Sequence, residues 1–171
     1  MGILSGYDKR SDQWFMDCAL KQARRAFDAG EVPVGAVVVN VDGVIVARAY
    51  NQTVKRQSPL AHAEVLAIIK VARKQKNWRL NKCTLYVTIE PCALCMQVIL
   101  TSRIARVVYG ASSPLYGFSL DKYCSFDLYK KPLAITSGVA AEQAQQYMKQ
   151  FFKQKRKSPC TKPSKKPIWK K

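Results

Sequence analysis

The sequence predicts an α/β domain of three layers, a mixed five-stranded sheet sandwiched between helices. Three observations carry this. Segments rich in β-branched residues alternate with segments whose apolar residues recur at helical spacing. One pair of strand segments is joined by Asp42-Gly43, which reads as an antiparallel hairpin. A later pair is separated by a single helix, which implies a parallel crossover. At 171 residues the chain suits one domain that buries roughly two-thirds of its unfolded surface.

Taken in order, Ser11 is placed to cap a first helix ending near Gly30, with Met16, Leu20, Ala23 and Phe27 as its apolar stripe. Residues 34–41 and 44–49 read as strands on either side of the Asp-Gly turn, and 51–58 as a polar loop. A second helix is expected from near Pro59 to about Gln75, burying Ala61, Val65, Ile68, Ile69 and Ala72. Residues 83–89 form a third strand. Pro91 is expected at the first position of a third helix, where its missing N–H costs nothing. Residues 105–110 form a fourth strand, and 111–131 carry no clear period. Residues 133–136 fit a fifth strand. A last helix over 140–154 turns Ala144, Tyr147, Met148, Phe151 and Phe152 inward. The expected division is a domain over 1–154 and a Lys/Pro/Ser-rich tail over 155–171 of the composition of disordered segments.

Composition narrows the class. Hydrophobic residues are 48% of the chain, which excludes a wholly disordered protein. No apolar run approaches the roughly 18 residues of a membrane helix. The N-terminal residues show no signal-peptide pattern, so the cytosol is the expected location and no membrane partner is expected. The net charge is +18; residues 149–171 hold ten Lys or Arg and no acid, leaving 19 basic against 11 acidic residues elsewhere. A chain that is basic in body as well as tail favours a polyanionic partner such as nucleic acid.

The chemistry concentrates in two short motifs. His62-Ala63-Glu64 opens one helix and Pro91-Cys92-Ala93-Leu94-Cys95 opens another. Cys92 and Cys95 are three apart and share a helix face. Helix N-termini stabilise thiolates and so favour metal binding. Two cysteines and a histidine make three protein ligands, the number a catalytic zinc uses while leaving one position for water. His62 and Glu64, two apart, can converge only if the metal lies off the helix end. A redox Cys-x-x-Cys pair, or a structural zinc that recruits Cys83, would use the same cysteines. A Cys2His2 finger is excluded, because His62 is the sole histidine. His-x-Glu followed some thirty residues later by Pro-Cys-x-x-Cys is the general signature of zinc-dependent nucleobase deaminases.

Further segments make the likeness specific. These are residues 31–37 (EVPVGAV), Asn51, residues 88–91 (TIEP), and residues 102–104 (SRI) leading to 107–111 (VVYGA). Over about residues 12–154 the chain resembles bacterial-type tRNA-specific adenosine deaminases of the cytidine deaminase-like superfamily. That resemblance implies a three-layer α/β/α cytidine deaminase-like fold, a homodimer, and one zinc ion per subunit on His62, Cys92 and Cys95. It implies that Glu64 shuttles protons while adenosine, held in a tRNA anticodon loop, becomes inosine by attack of zinc-bound hydroxide. It implies substrate contacts from Asn51, Ala63, Val34 and Ser113. Where the family often carries a basic residue and Asp beside the RNA, this chain has Ser112-Ser113, which can hydrogen-bond a ribose without charge. Two other readings stay open at this stage: a deaminase of a free base or nucleoside such as guanine or cytosine, and a non-enzymatic RNA-binding module with a structural zinc.

Overall fold

The structure, a computed structural model, describes residues 11–120 and 133–157. Helix α1 (Asp12–Asp28) starts on Ser11, whose side chain accepts from the Trp14 N–H at 3.3 Å, and closes on Gly30 at φ +74°. Strands β1 (Gly35–Val39) and β2 (Ile45–Tyr50) form the expected antiparallel hairpin. Helix α2 (Thr53–Arg56) occupies what the sequence reads as plain loop. Helix α3 (Ala63–Gln75), strand β3 (Thr84–Ile89), helix α4 (Ala93–Thr101) and strand β4 (Arg106–Ala111) follow. A single 3-10 turn (Phe118–Leu120), strand β5 (Ala134–Thr136) and helix α5 (Ala141–Lys157) complete the described chain.

The sheet order is β2-β1-β3-β4-β5, with β1 antiparallel to β2 and β3, and β3-β4-β5 parallel. Both faces are covered, which is why β1 is buried at all five positions. Ala36 and Val38 pack with Leu66, Ala67 and Val71 of α3 and Met96 and Ile99 of α4. Val37 and Val39 pack on the opposite face with Phe15, Met16 and Ala19 of α1, which also contacts α5. Gly35 permits this close approach, since a Cβ there would collide with the α1 backbone at Ala19 and Ala23. Across the sheet, Arg106 of β4 forms a two-pronged pair with Asp12 at 2.9 and 2.6 Å, and Tyr86 donates to the same carboxylate at 2.7 Å.

Several local expectations are corrected. The hairpin loop has three residues, Val41 to Gly43, because the Asn40 Oδ1 accepts from the N–H groups of Asp42 and Val44 and holds the turn open. Helix α3 begins at Ala63, four residues after Pro59, with His62 as an extended N-cap. Its buried face is Val65, Leu66, Ala67, Ile68 and Val71, while Ile69 is 39% exposed, because α3 is wedged between the sheet and α4. Pro91 precedes the α4 N-cap, Cys92, and is not the first helical residue. Helix α5 begins at Ala141 and continues to Lys157, past the Gln154 end read from sequence, and its Phe152 faces solvent. Residues 121–132 of the stretch without clear period, and 158–171 of the tail, lie outside the described residues.

Candidate active site

Strand β2 runs parallel to β3, since both are antiparallel to β1. Their C-terminal ends therefore lie on one edge of the sheet, and the chain turns there into the first residues of α3 and α4. Two helix N-termini, each positive and with unpaired backbone N–H groups, thus meet at one place. The edge beyond the strand C-termini is the general location of sites in parallel α/β sheets.

His62 and Cys92 are the N-caps of the two helices, both in extended conformation, at φ −72° and φ −76°. This resolves the spacing problem at His62-Ala63-Glu64. Because His62 is not helical, its side chain and that of Glu64 need not diverge by the angle that two residues of a helix impose. Cys92 and Cys95 are likewise an N-cap and third-residue pair, so they converge as a cap does with the end of its first turn. The His62 Nδ1 lies 3.3 Å from the Cys95 Sγ and 3.7 Å from the Cys92 Sγ. All three donor atoms fall within 4.8 Å of one another. A tetrahedral zinc with Zn–S of about 2.3 Å and Zn–N of about 2.05 Å would set nitrogen and sulfur about 3.6 Å apart, so the donor set fits that ion. Cys83 is not part of the group; it precedes β3, at the end of the strand remote from the site.

The electrostatics favour a cation. The Cys92 thiol is pulled down to about 4, first by its hydrogen bond with Cys95 and then by His62, while the same bond pushes Cys95 up. His62 is raised chiefly by its contact with Cys92. Glu64, 4% exposed, has its carboxyl pushed up by burial.

These groups open onto a cavity of about 440 Å³ that takes in His62, Glu64 and Cys92 together with Val34, Asn51 and Ser113. Cys95 and Ala63 are fully buried and do not line it; Ala63 is the first helical residue of α3, so it offers backbone only. Asn51 is 6% exposed, its amide donating to Glu31 at 3.4 Å and accepting from Thr53 Oγ1 at 3.0 Å. Ser113 donates its N–H to Glu90 at 2.9 Å, and its hydroxyl accepts from the Tyr116 N–H at 3.3 Å.

Sequence reasoning missed the groups that hold these walls. Glu31 accepts from the N–H groups of Val54 at 3.1 Å and Lys55 at 2.7 Å, which fixes α2. Glu90 accepts from Ser113 and Ser119 and fixes the segment after β4. The signal available was a pair of glutamates embedded in apolar segments, at Glu31-Val32 and Ile89-Glu90.

A buried carboxyl beside three convergent metal donors, on a cavity large enough for a nucleobase, is the arrangement a metal-dependent hydrolytic enzyme needs. A family model of the cytidine and deoxycytidylate deaminase zinc-binding region matches residues 9–111. The chain belongs to that family and, within it, to the tRNA-specific adenosine deaminases. It is 42% identical over 147 residues to the tRNA-specific adenosine deaminase of Haemophilus influenzae, covering 85% of each chain. It is 38% identical over 148 residues to that of Bacillus subtilis, covering 85% of this chain and 91% of the relative. A solved structure from a study of A-to-I editing by tRNA:A34 deaminases at the wobble position superposes with a TM-score of 0.73 at 36% identity, covering 78% of this chain and 97% of that one.

Proposed function

We propose that this enzyme hydrolyses adenosine to inosine in RNA, at the wobble position of a tRNA anticodon, with release of ammonia. The observation that carries the reading is Glu64, a buried carboxyl on the cavity beside three metal donors without being one of them. A structural zinc site has no use for such a group. His62, Cys92 and Cys95 would hold one zinc ion per subunit. When bound, the ion supplies a water acidified to a pKa of about 7. As water adds to the amino-bearing ring carbon, Glu64 would take one of its protons, deliver it to the ring nitrogen, and then pass the second to the amine, which leaves as ammonia while the ring carbon keeps the oxygen. Asn51 orients the base from the cavity wall. The Ala63 N–H, in the first turn of α3 where backbone donors have no intrahelical partner, faces the developing oxygen. Val34 packs against the base, and Ser113 meets the ribose.

The basic body and tail supply phosphate contacts that position the RNA without reading it. The unit of catalysis is the domain over 1–154, and 155–171 adds affinity. Among the described residues no helix is long and apolar enough to cross a membrane, and the enzyme acts in the cytoplasm. Two copies pair as a homodimer, a reading supported by the largely apolar groove that Leu60, Val65 and Ile69 line beside Arg56 and Ser58. Size measurement by light scattering tests that point.

The activity test is incubation of zinc-loaded protein with total tRNA, followed by digestion and mass spectrometry of nucleosides. Inosine at the first anticodon position is expected. Turnover of free guanine, cytosine or adenosine in preference to RNA would replace this reading by that of a small-molecule deaminase, and zinc binding without any turnover by that of an RNA-binding module.

A further inference from the structure

Tyr116 is 75% exposed, yet it borders the same cavity as Glu64 and Cys92. A lone exposed aromatic needs no explanation. What sets this one apart is the rigidity of the segment that carries it. Glu90, 4% exposed, accepts from the N–H groups of Ser113 at 2.9 Å and Ser119 at 3.1 Å, one on each side of Tyr116. The next residue, Gly117, forms an antiparallel bridge with Cys92, and the Phe118 N–H donates to the Pro91 carbonyl at 2.9 Å. Gly117 lets the Glu90 carboxyl lie directly against the backbone, where a Cβ would collide with it. The backbone that carries the phenol ring is therefore tied to the segment that presents a metal donor. Across a different segment of the cavity wall, Val54 is 66% exposed and its N–H is held by Glu31. Two buried carboxylates thus hold two backbone segments that each carry an exposed apolar side chain on the cavity.

We infer that Tyr116 is a stacking platform for the base next to the target adenosine. The inference rests on the proposed action on a single-stranded RNA loop. An extruded base leaves its neighbour without a stacking partner, and a flat ring beside the pocket mouth replaces the lost stack. The recognition is by ring face, so it accepts any base and demands only that one be present.

The test reads stacking directly and does not depend on turnover. An anticodon stem-loop carries the fluorescent base 2-aminopurine immediately 5′ of the target adenosine, and a second carries it immediately 3′. Zinc-loaded wild-type protein is expected to alter the emission of one of the two probes on binding, as an aromatic stack does. Tyr116→Phe keeps that response and Tyr116→Ala loses it. Replacing the responding nucleotide by an abasic one should weaken binding to wild type roughly 5- to 150-fold, the range of one base–aromatic stack, and should leave binding to Tyr116→Ala unchanged. Emission changes that persist in Tyr116→Ala overturn the inference, as do losses that multiply when the two changes are combined. A Tyr116→Ala protein whose self-association changes while its probe response is intact assigns the residue to the subunit contact and also overturns it. Inosine formation by wild type on the unmodified stem-loop, scored separately, reports on the parent reading alone.

Discussion

Replacing Glu31 by Gln isolates what holds one wall of the cavity. The carboxylate is 2% exposed and accepts from the Lys55 N–H at 2.7 Å, the Val54 N–H at 3.1 Å and the Asn51 amide at 3.4 Å. Glutamine fills the same volume but offers one acceptor oxygen, and its NH2 must face at least one of these donors. A buried donor left without an acceptor costs about 1–3 kcal/mol, and the bonds that remain fall from the charged toward the weaker neutral class. Together these effects amount to a loss of about 2–4 kcal/mol. For a protein of this size each kcal/mol lowers the melting temperature by about 2–4 °C, so a drop of about 4–16 °C is expected by calorimetry. The loss falls on α2, which presents Thr53 and Val54 to the cavity, and on the orientation of Asn51. The efficiency kcat/KM on an anticodon stem-loop should therefore fall tenfold or more. Zinc content by elemental analysis should be unchanged, because the three donors sit at the starts of α3 and α4. An unaltered melting temperature with unaltered kcat/KM would refute the clamp, and loss of zinc would show that Glu31 acts through the metal donors instead.

Other perturbations separate the remaining roles. Glu64→Gln should retain zinc and fold while kcat falls by roughly 10²–10⁴, the usual contribution of a general acid–base group; a normal turnover rate would remove Glu64 from the mechanism. Cys92→Ser or Cys95→Ser should lose zinc in elemental analysis, whereas Cys18→Ser, a free cysteine on α1 outside the donor group, should keep it. Asp12→Asn should destabilise at neutral pH by about 1–2 kcal/mol, a charge-assisted pair discounted for a carboxylate about one-third exposed. The Arg106 hydrogen bonds hold the Asp12 carboxyl below its ordinary range. That stabilisation is present above the unfolded value of about 3.9 and is lost as pH falls through the lower folded value. Urea unfolding of wild type and variant should thus differ at pH 7 and converge at strongly acid pH, and a constant gap would refute the linkage.

The parts of the fold that were legible in the sequence are those set by near neighbours. Ser11 before an amphipathic run, Asp42-Gly43 between two β-branched runs, and one helix between two strands each act within a few residues. The misread parts depend on distant ones. Helix α2 is a single turn with no apolar period, and its first N–H groups find their acceptor in Glu31, 23 and 24 positions back. The start of α3 is delayed to Ala63 although Pro59 is a plausible opener, and the delay leaves His62 as an extended cap able to face the two thiols. Ile69 follows the expected stripe, but the face of α3 that meets both sheet and α4 is rotated toward Leu66, Ala67 and Val71.

The same division explains the site. The convergent donors His62, Cys92 and Cys95 were legible as a group because each motif is confined to a few residues at the start of one helix. Glu31 and Glu90 were not, since nothing local distinguishes a glutamate that does chemistry from one that holds a wall. The structure does distinguish them. The three buried acids among the described residues are Glu31, Glu64 and Glu90, and all three line one cavity. A buried carboxylate is costly unless its oxygens are satisfied. Glu31 and Glu90 meet that cost with backbone N–H groups, two each, and each thereby ties a chain segment into the cavity wall. Glu64 instead lies at a helix N-terminus beside His62, Cys92 and Cys95, with burial pushing its carboxyl toward the protonated form. A carboxylate committed to two backbone donors has little freedom to exchange a proton with a substrate. On the proposed function, the one beside the three donors is the carboxyl that exchanges protons with water and substrate. Two of the three glutamates therefore shape the cavity, and on the proposed function the third reacts in it.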